Sequence, residues 1–219
     1  MIVQIYEIGS PAEATELAAA GVDHVGVLVG PGEFPRELSP EQALEIFDAV
    51  QLPAKRVALS LSHDLDAVSS IVEATTPDIL HLGTTLELLP TDGVVELKRR
   101  FPGLSIMRTI PVVAETSVDA AREYDGVADW LLLDTQEPGA AVIGATGKIH
   151  DWDLSRRIVE TVGVQVVLAG GLGPDNVAEA IRRVRPTGVD SKTRTDRADG
   201  NGKDLDKVRE LVRESRESL

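Results

Sequence analysis

The chain has 219 residues, 42% of them hydrophobic and 26% charged, and it contains no cysteine. That length and balance describe a folded domain of ordinary size rather than a disordered chain. The composition excludes disulfides, thiolate metal sites and a cysteine nucleophile, and no run of eighteen apolar residues suggests a membrane span. A formal net charge of −14 argues against nucleic acid, whose binders present basic faces to the phosphates. The N-terminus MIVQIYEIGS has neither the basic head nor the cleavage site of a secretion signal, so a cytoplasmic protein is expected.

Apolar runs of strand length alternate with segments of helical period along the whole chain. The first strand is expected over 2–8, followed by helix 11–21; the second over 24–29, followed by helix 39–50. Ser39-Pro40-Glu41 opens that helix with a capping serine, a proline at the first helical position and an early acid. Strand 56–62 precedes helix 64–74, strand 78–83 precedes helix 94–100, and strand 105–112 precedes helix 117–124. Strand 129–134 leads through a long loop to helix 153–162. Strand 164–170 runs into helix 174–184, where Gly173-Pro174-Asp175 reads as a start signal, and strand 187–190 leads to helix 203–215.

Eight strands apolar on both faces, in strict alternation with eight helices, predict one (β/α)8 TIM barrel over residues 1–219. An open doubly wound sheet is the alternative, but no G-x-G-x-x-G follows the first strand. In a barrel the chemistry gathers where strands end and the following loops begin. Those places hold Tyr6 and Glu7, Arg36, His81, Arg108 and Asp134. They also hold the glycine pair Gly170-Gly171 and the run Lys192-Thr193-Arg194 after strand 8.

The last two groups suit an anion. Glycines let backbone N–H groups approach closely, and barrels often bind phosphate after strands 7 and 8. Lys192 and Arg194 add local positive charge within an acidic protein. Arg36 and Arg108 are candidates for a second anionic group, with Glu33 or Glu37 as competing partners for either. GATGKI (144–149) is not a Walker loop and reads better as a lid closing over the lone acid Asp134. The four histidines lack metal-ligand spacing; only His81 falls where a barrel site could use it. No metal or redox cofactor is implied, and the sequence leaves monomer and homodimer equally open.

Three stretches together, LLLDTQEPG…GATGKIHDW, VVLAGGLGPDNVAEAIRRVRPTGVD and GVDHVGVLVGPGEFPRELSPEQA, resemble the phosphoribosylanthranilate isomerase family of tryptophan biosynthesis. The order and spacing of motifs agree over nearly the whole chain. The resemblance implies an Amadori rearrangement of an aminoaldose phosphate, a small phosphorylated substrate. It places the ring-opening acid on Asp134 and the arginine for the anthranilate carboxylate on Arg36.

Two departures stand out. The family's base is a cysteine in a Lys-x-Cys-Gly stretch, where this chain reads Gln4-Ile5-Tyr6-Glu7. Glu7 is the provisional base; Tyr6 is expected to point inward and fill the pocket, since an unperturbed phenol is a poor base at neutral pH. Strand alternation would then turn Glu7 away from the mouth. The family's Ser-Ser-Gly after strand 8 is Lys192-Thr193-Arg194, and its Gln-Leu-His-Gly near strand 4 is His81-Leu82-Gly83-Thr84. These changes keep open a relative acting on a different phosphorylated or carboxylated sugar. They also keep open a barrel that only binds a ligand or partner, whose mouth would be blocked by Tyr6 or whose Arg36 would be held in ion pairs.

Overall fold

Eight parallel strands close into a barrel in a computed structural model of the chain, which describes residues 1–136 and 149–218. The strands are β1 (Ile2–Ile5), β2 (His24–Leu28), β3 (Lys55–Ser60), β4 (Ile79–Leu82), β5 (Ser105–Pro111), β6 (Trp130–Asp134), β7 (Gln165–Leu168) and β8 (Gly188–Ser191). The helices that follow them in turn are α1 (Pro11–Ala19), α2 (Pro40–Asp48), α3 (Leu65–Thr75), α4 (Thr91–Arg100), α5 (Thr116–Tyr124), α6 (Trp152–Thr161), α7 (Val177–Val184) and α8 (Leu205–Glu217). β8 closes the ring onto β1, with Ile2 opposite Gly188 and Ile5 opposite Ser191.

Alternation along each strand splits the apolar residues into two cores. Val57, Ile79, Met107, Trp130, Leu132, Val167 and Ala169, with Tyr6, fill the barrel. The intervening residues, such as Ile5, Val27, Leu80, Leu131, Leu133 and Val189, pack outward against the helices. The same parity therefore decides which polar side chains can reach the mouth.

Local chemistry fixes the helix starts. Ser39 accepts from the backbone N–H of Gln42 while the Gln42 side chain accepts from the backbone N–H of Ser39, a reciprocal cap. Asp64, Asp151 and Asp204 each accept from the first-turn N–H groups of α3, α6 and α8; caps of this kind contribute about 1 kcal/mol each. The start expected at Gly173-Pro174-Asp175 is instead a turn. The Asn176 side chain accepts from Gly173 N–H and donates to the Gly171 carbonyl, so α7 begins only at Val177. α4 begins earlier than the apolar pattern suggested, at Thr91. A 3₁₀ turn (Thr193–Thr195), not anticipated, follows β8.

Candidate active site

Asp134 continues the inward series of β6 after Trp130 and Leu132, which brings its carboxyl to the C-terminal mouth. Its Oδ1 accepts from Thr135 N–H at 2.7 Å. Burial raises its pKa to about 6, against the opposing pull of Thr135 and of Lys192. Facing it from β8 is Asp190, buried, with Oδ1 accepting from the Gln4 side-chain amide at 3.1 Å. Burial first, and the neighbouring Asp134 charge second, raise Asp190 to about 8. At neutral pH one of these carboxyls is held neutral because two charges in one desolvated site repel. Sequence reasoning assigned Asp190 no role. Its place two residues after the inward Gly188 was the signal that could have found it.

Strand 1 supplies the second cluster. β1 stops at Ile5, short of the expected residue 8. Tyr6 points inward as expected, and its ring lies over Gly26, where a Cβ would sit 2.3 Å from Cδ1. The Tyr6 hydroxyl meets His81 Nδ1 at 2.5 Å, and His81 Nε2 meets Thr109 Oγ1 at 2.6 Å. A neutral imidazole with its proton on Nε2 satisfies both bonds. Burial, with the Arg108 charge behind it, pushes His81 down to about 3; burial also pushes Tyr6 well above its ordinary value. Neither group is poised to take a proton near neutrality.

Glu7 overturns the expectation from alternation. Its backbone φ is +61°, in the left-handed region where a residue leaves the strand's two-sided pattern. The side chain thereby joins Tyr6 at the mouth, where it is 9% exposed. Its Oε1 lies 2.6 Å from Lys192 Nζ and its Oε2 lies 3.4 Å from Arg36 Nη1. Tyr6, Glu7, His81, Thr109, Leu132, Asp134, Asp190 and Lys192 share the wall of one cavity of about 90 Å³.

The two arginines of the second-anion proposal part company. Arg36 sits at the mouth, also with φ +61°, paired with Glu7, with Asp196 at 3.1 Å and with the Gly200 carbonyl. Glu37, offered as its competitor, instead caps its own loop through Gly32 and Glu33 N–H. Arg108 is a correction. Its neighbour Thr109 takes the inward position on β5, so Arg108 points outward and is fully buried. It donates to the carbonyls of Leu82, Thr84, Thr85 and Leu89, over the face of Tyr124. It braces the β4–α4 loop and cannot reach a ligand.

Beside Asp134 and Asp190, a small cleft is lined by Gly170, Gly171, Leu172, Ser191, Lys192, Thr193 and Arg194. Gly170 and Gly171 have φ of +82° and +63°, conformations that glycine adopts without a Cβ penalty. Arg194 is turned partly aside, Nη2 to Asp175 Oδ2 at 2.5 Å. The proposed lid segment 144–148, with Lys148, lies outside the described residues. Among the described residues, no cluster of three or more His, Asp or Glu could hold a metal ion, and no helix is long and apolar enough to cross a membrane.

A closed parallel barrel with facing carboxyls, a glycine-lined cleft and cations at its C-terminal mouth defines the class: a barrel enzyme of acid–base chemistry on a small anionic substrate. The sequence profile of N-(5′-phosphoribosyl)anthranilate (PRA) isomerase matches residues 4–214. The chain is 35% identical to the N-(5′-phosphoribosyl)anthranilate isomerase of Haloferax volcanii, over 96% of this chain and 90% of that one. It is also 35% identical to that of Methanocella arvoryzae, over 98% and 97%. The crystal structure of phosphoribosyl anthranilate isomerase from Thermotoga maritima superposes with a TM-score of 0.81 at 25% identity, covering 99% of this chain and 100% of that one. The chain belongs to the phosphoribosylanthranilate isomerase family, and it is an intramolecular aldose–ketose isomerase with a TIM-barrel fold.

Proposed function

We propose that this protein rearranges phosphoribosylanthranilate with Asp134 as general acid and Glu7 as general base. The observation that carries the assignment is the shared cavity: two carboxyls from β6 and from the end of β1 reach one space, flanked by cations. Asp134, raised to about 6, is protonated in about one molecule in ten at pH 7, the form that ring opening uses. It gives its proton to the furanose oxygen as the C1–O bond breaks and nitrogen's lone pair forms the C1 iminium. Glu7 then takes the proton from C2. The resulting enaminol becomes the ketose when its C2 hydroxyl loses a proton and C1 gains one. Lys192 and the Gly170–Gly171 backbone receive the phosphate, with Thr193 and Arg194 at the rim; Arg36 receives the anthranilate carboxylate. Tyr6, held by His81, forms the wall against which the reacting carbons lie. A protonated Asp190 spares the phosphate a second negative neighbour.

A different phosphorylated sugar is the second reading, favoured by side-chain cations standing where the family resemblance implies Ser-Ser-Gly. The test is turnover of freshly generated phosphoribosylanthranilate, followed by loss of anthranilate fluorescence. Wild-type turnover lost in Asp134→Asn supports the assignment. A folded wild type that turns over other aminoaldose phosphates but not this one moves the assignment to the second reading.

A further inference from the structure

Both oxygens of Glu7 are paired with cations, and those cations are the ones assigned to the substrate. Oε1 is held by Lys192 at 2.6 Å, and Oε2 faces Arg36 at 3.4 Å. Lys192 lines the glycine cleft as well as the reaction cavity. Arg36 stands on the opposite flank, on the β2–α2 loop. A carboxylate with both oxygens engaged by cations has to part from one of them before that oxygen can approach a proton on carbon.

Resting on the role of Glu7 as base, we propose that the substrate's two anionic ends release it: phosphate draws Lys192 off Oε1, and the anthranilate carboxylate draws Arg36 off Oε2. The two oxygens of the base are set free only when both ends of the substrate are seated. Binding energy from remote parts of the substrate is thus converted into reactivity at the carbon centre. The stem of Lys192 leaves the amine free to move between the two pockets, since it is a flexible point charge with rotatable donors. Arg36 has a second anchor: Asp196 at 3.1 Å and the Gly200 carbonyl. Asp196 is itself fixed by the fully buried Lys203 at 2.7 Å. Arg36 therefore moves less freely than Lys192, and the phosphate end makes the larger contribution to release. The same displacement relaxes the pull of Lys192 on Asp134, which favours the protonated acid just as the base is uncovered.

The consequence is that the base competes with the substrate for its cations, so removing the base charge tightens anion binding. Calorimetric titration of inorganic phosphate and of anthranilate, separately, into wild type, Glu7→Gln and Asp196→Asn tests it. Glu7→Gln is expected to bind both probes about two- to fivefold more tightly, the range spanned by partly exposed ion pairs. A folded Asp196→Asn is expected to tighten anthranilate more than phosphate, and Glu7→Ala repeats the test of the base charge should Glu7→Gln unfold. Unchanged or weaker phosphate binding by a folded Glu7→Gln would overturn the proposal, because it would mean that Glu7 steadies Lys192 for phosphate instead of competing with it. Turnover that persists in Glu7→Gln would instead remove Glu7 as base, whatever the titrations show, so the two failures are read on different instruments.

Discussion

The two sides of the barrel mouth are built on different principles. On the β6–β7 side, an acid at a strand end and a pair of left-handed glycines are placed by backbone geometry. On the β1–β8 side, side-chain charge dominates: Lys192, Glu7, Arg36, Asp196 and Lys203 form an alternating chain of ion pairs across the mouth. Backbone cradles are fixed by φ and carry no net charge. A chain of ion pairs can be rearranged by any anion that offers its cations a better partner. One half of the site is thus fixed by its backbone, and the other is held by ion pairs that the proposal above has the substrate displace.

The largest effect that could break this picture is at the fixed side. Asp134→Asn is expected to lower kcat by about 10²–10⁴-fold, the range for loss of a positioned general acid, as read by single-substrate kinetics with the fold checked by circular dichroism. Next is Arg108, which the sequence grouped with Arg36. Arg108→Met should cost about 3–5 kcal/mol in urea unfolding, because four buried carbonyls lose a charged donor. Arg36→Met should leave stability within about 1 kcal/mol and raise KM. Equal stability losses at the two positions would erase the distinction drawn here between brace and ligand contact.

A smaller effect concerns pH. Asp190 is raised from 3.8 to about 8 in the folded state, so between those values the native protein holds a proton that the unfolded chain has released. Its contribution to stability is full below about pH 4 and is lost as pH climbs to 8. Asp190→Asn should therefore match wild type near pH 4 and exceed it by about 2–4 kcal/mol at pH 8, measured by denaturant midpoints across pH. The raised value of Asp134, about 6, gives an activity counterpart. As the required acid loses its proton, kcat/KM should fall as pH rises above about 6. Smallest is Gly26→Ala, whose Cβ would press on the Tyr6 ring; a loss of about 1–3 kcal/mol with a raised KM would show that Tyr6 is seated as a wall of the pocket.

Much of this was legible in the residues. The barrel followed from eight alternations of strand and helix, and Asp134 from a carboxylate ending an apolar strand. Arg108 was misread because it was placed by its nearness to a strand end, when parity with Thr109 sends it outward. For Glu7, strand parity argued against the role the sequence gave it, and a left-handed backbone at that residue cancels parity. A single non-glycine φ of this kind is set by tertiary context and leaves little trace in sequence. Asp190 was passed over because its importance comes from facing Asp134 across the barrel, a contact between residues far apart in the chain. The Arg36–Asp196 pair, separated by 160 positions, was hidden for the same reason.

The central claim is that a glutamate at the end of β1 removes the C2 proton. The most direct test is kcat for phosphoribosylanthranilate at saturating substrate in Glu7→Gln against wild type. The account predicts a fall of about 10²–10⁴-fold in a folded protein that still binds phosphate. A kcat within tenfold of wild type would contradict it.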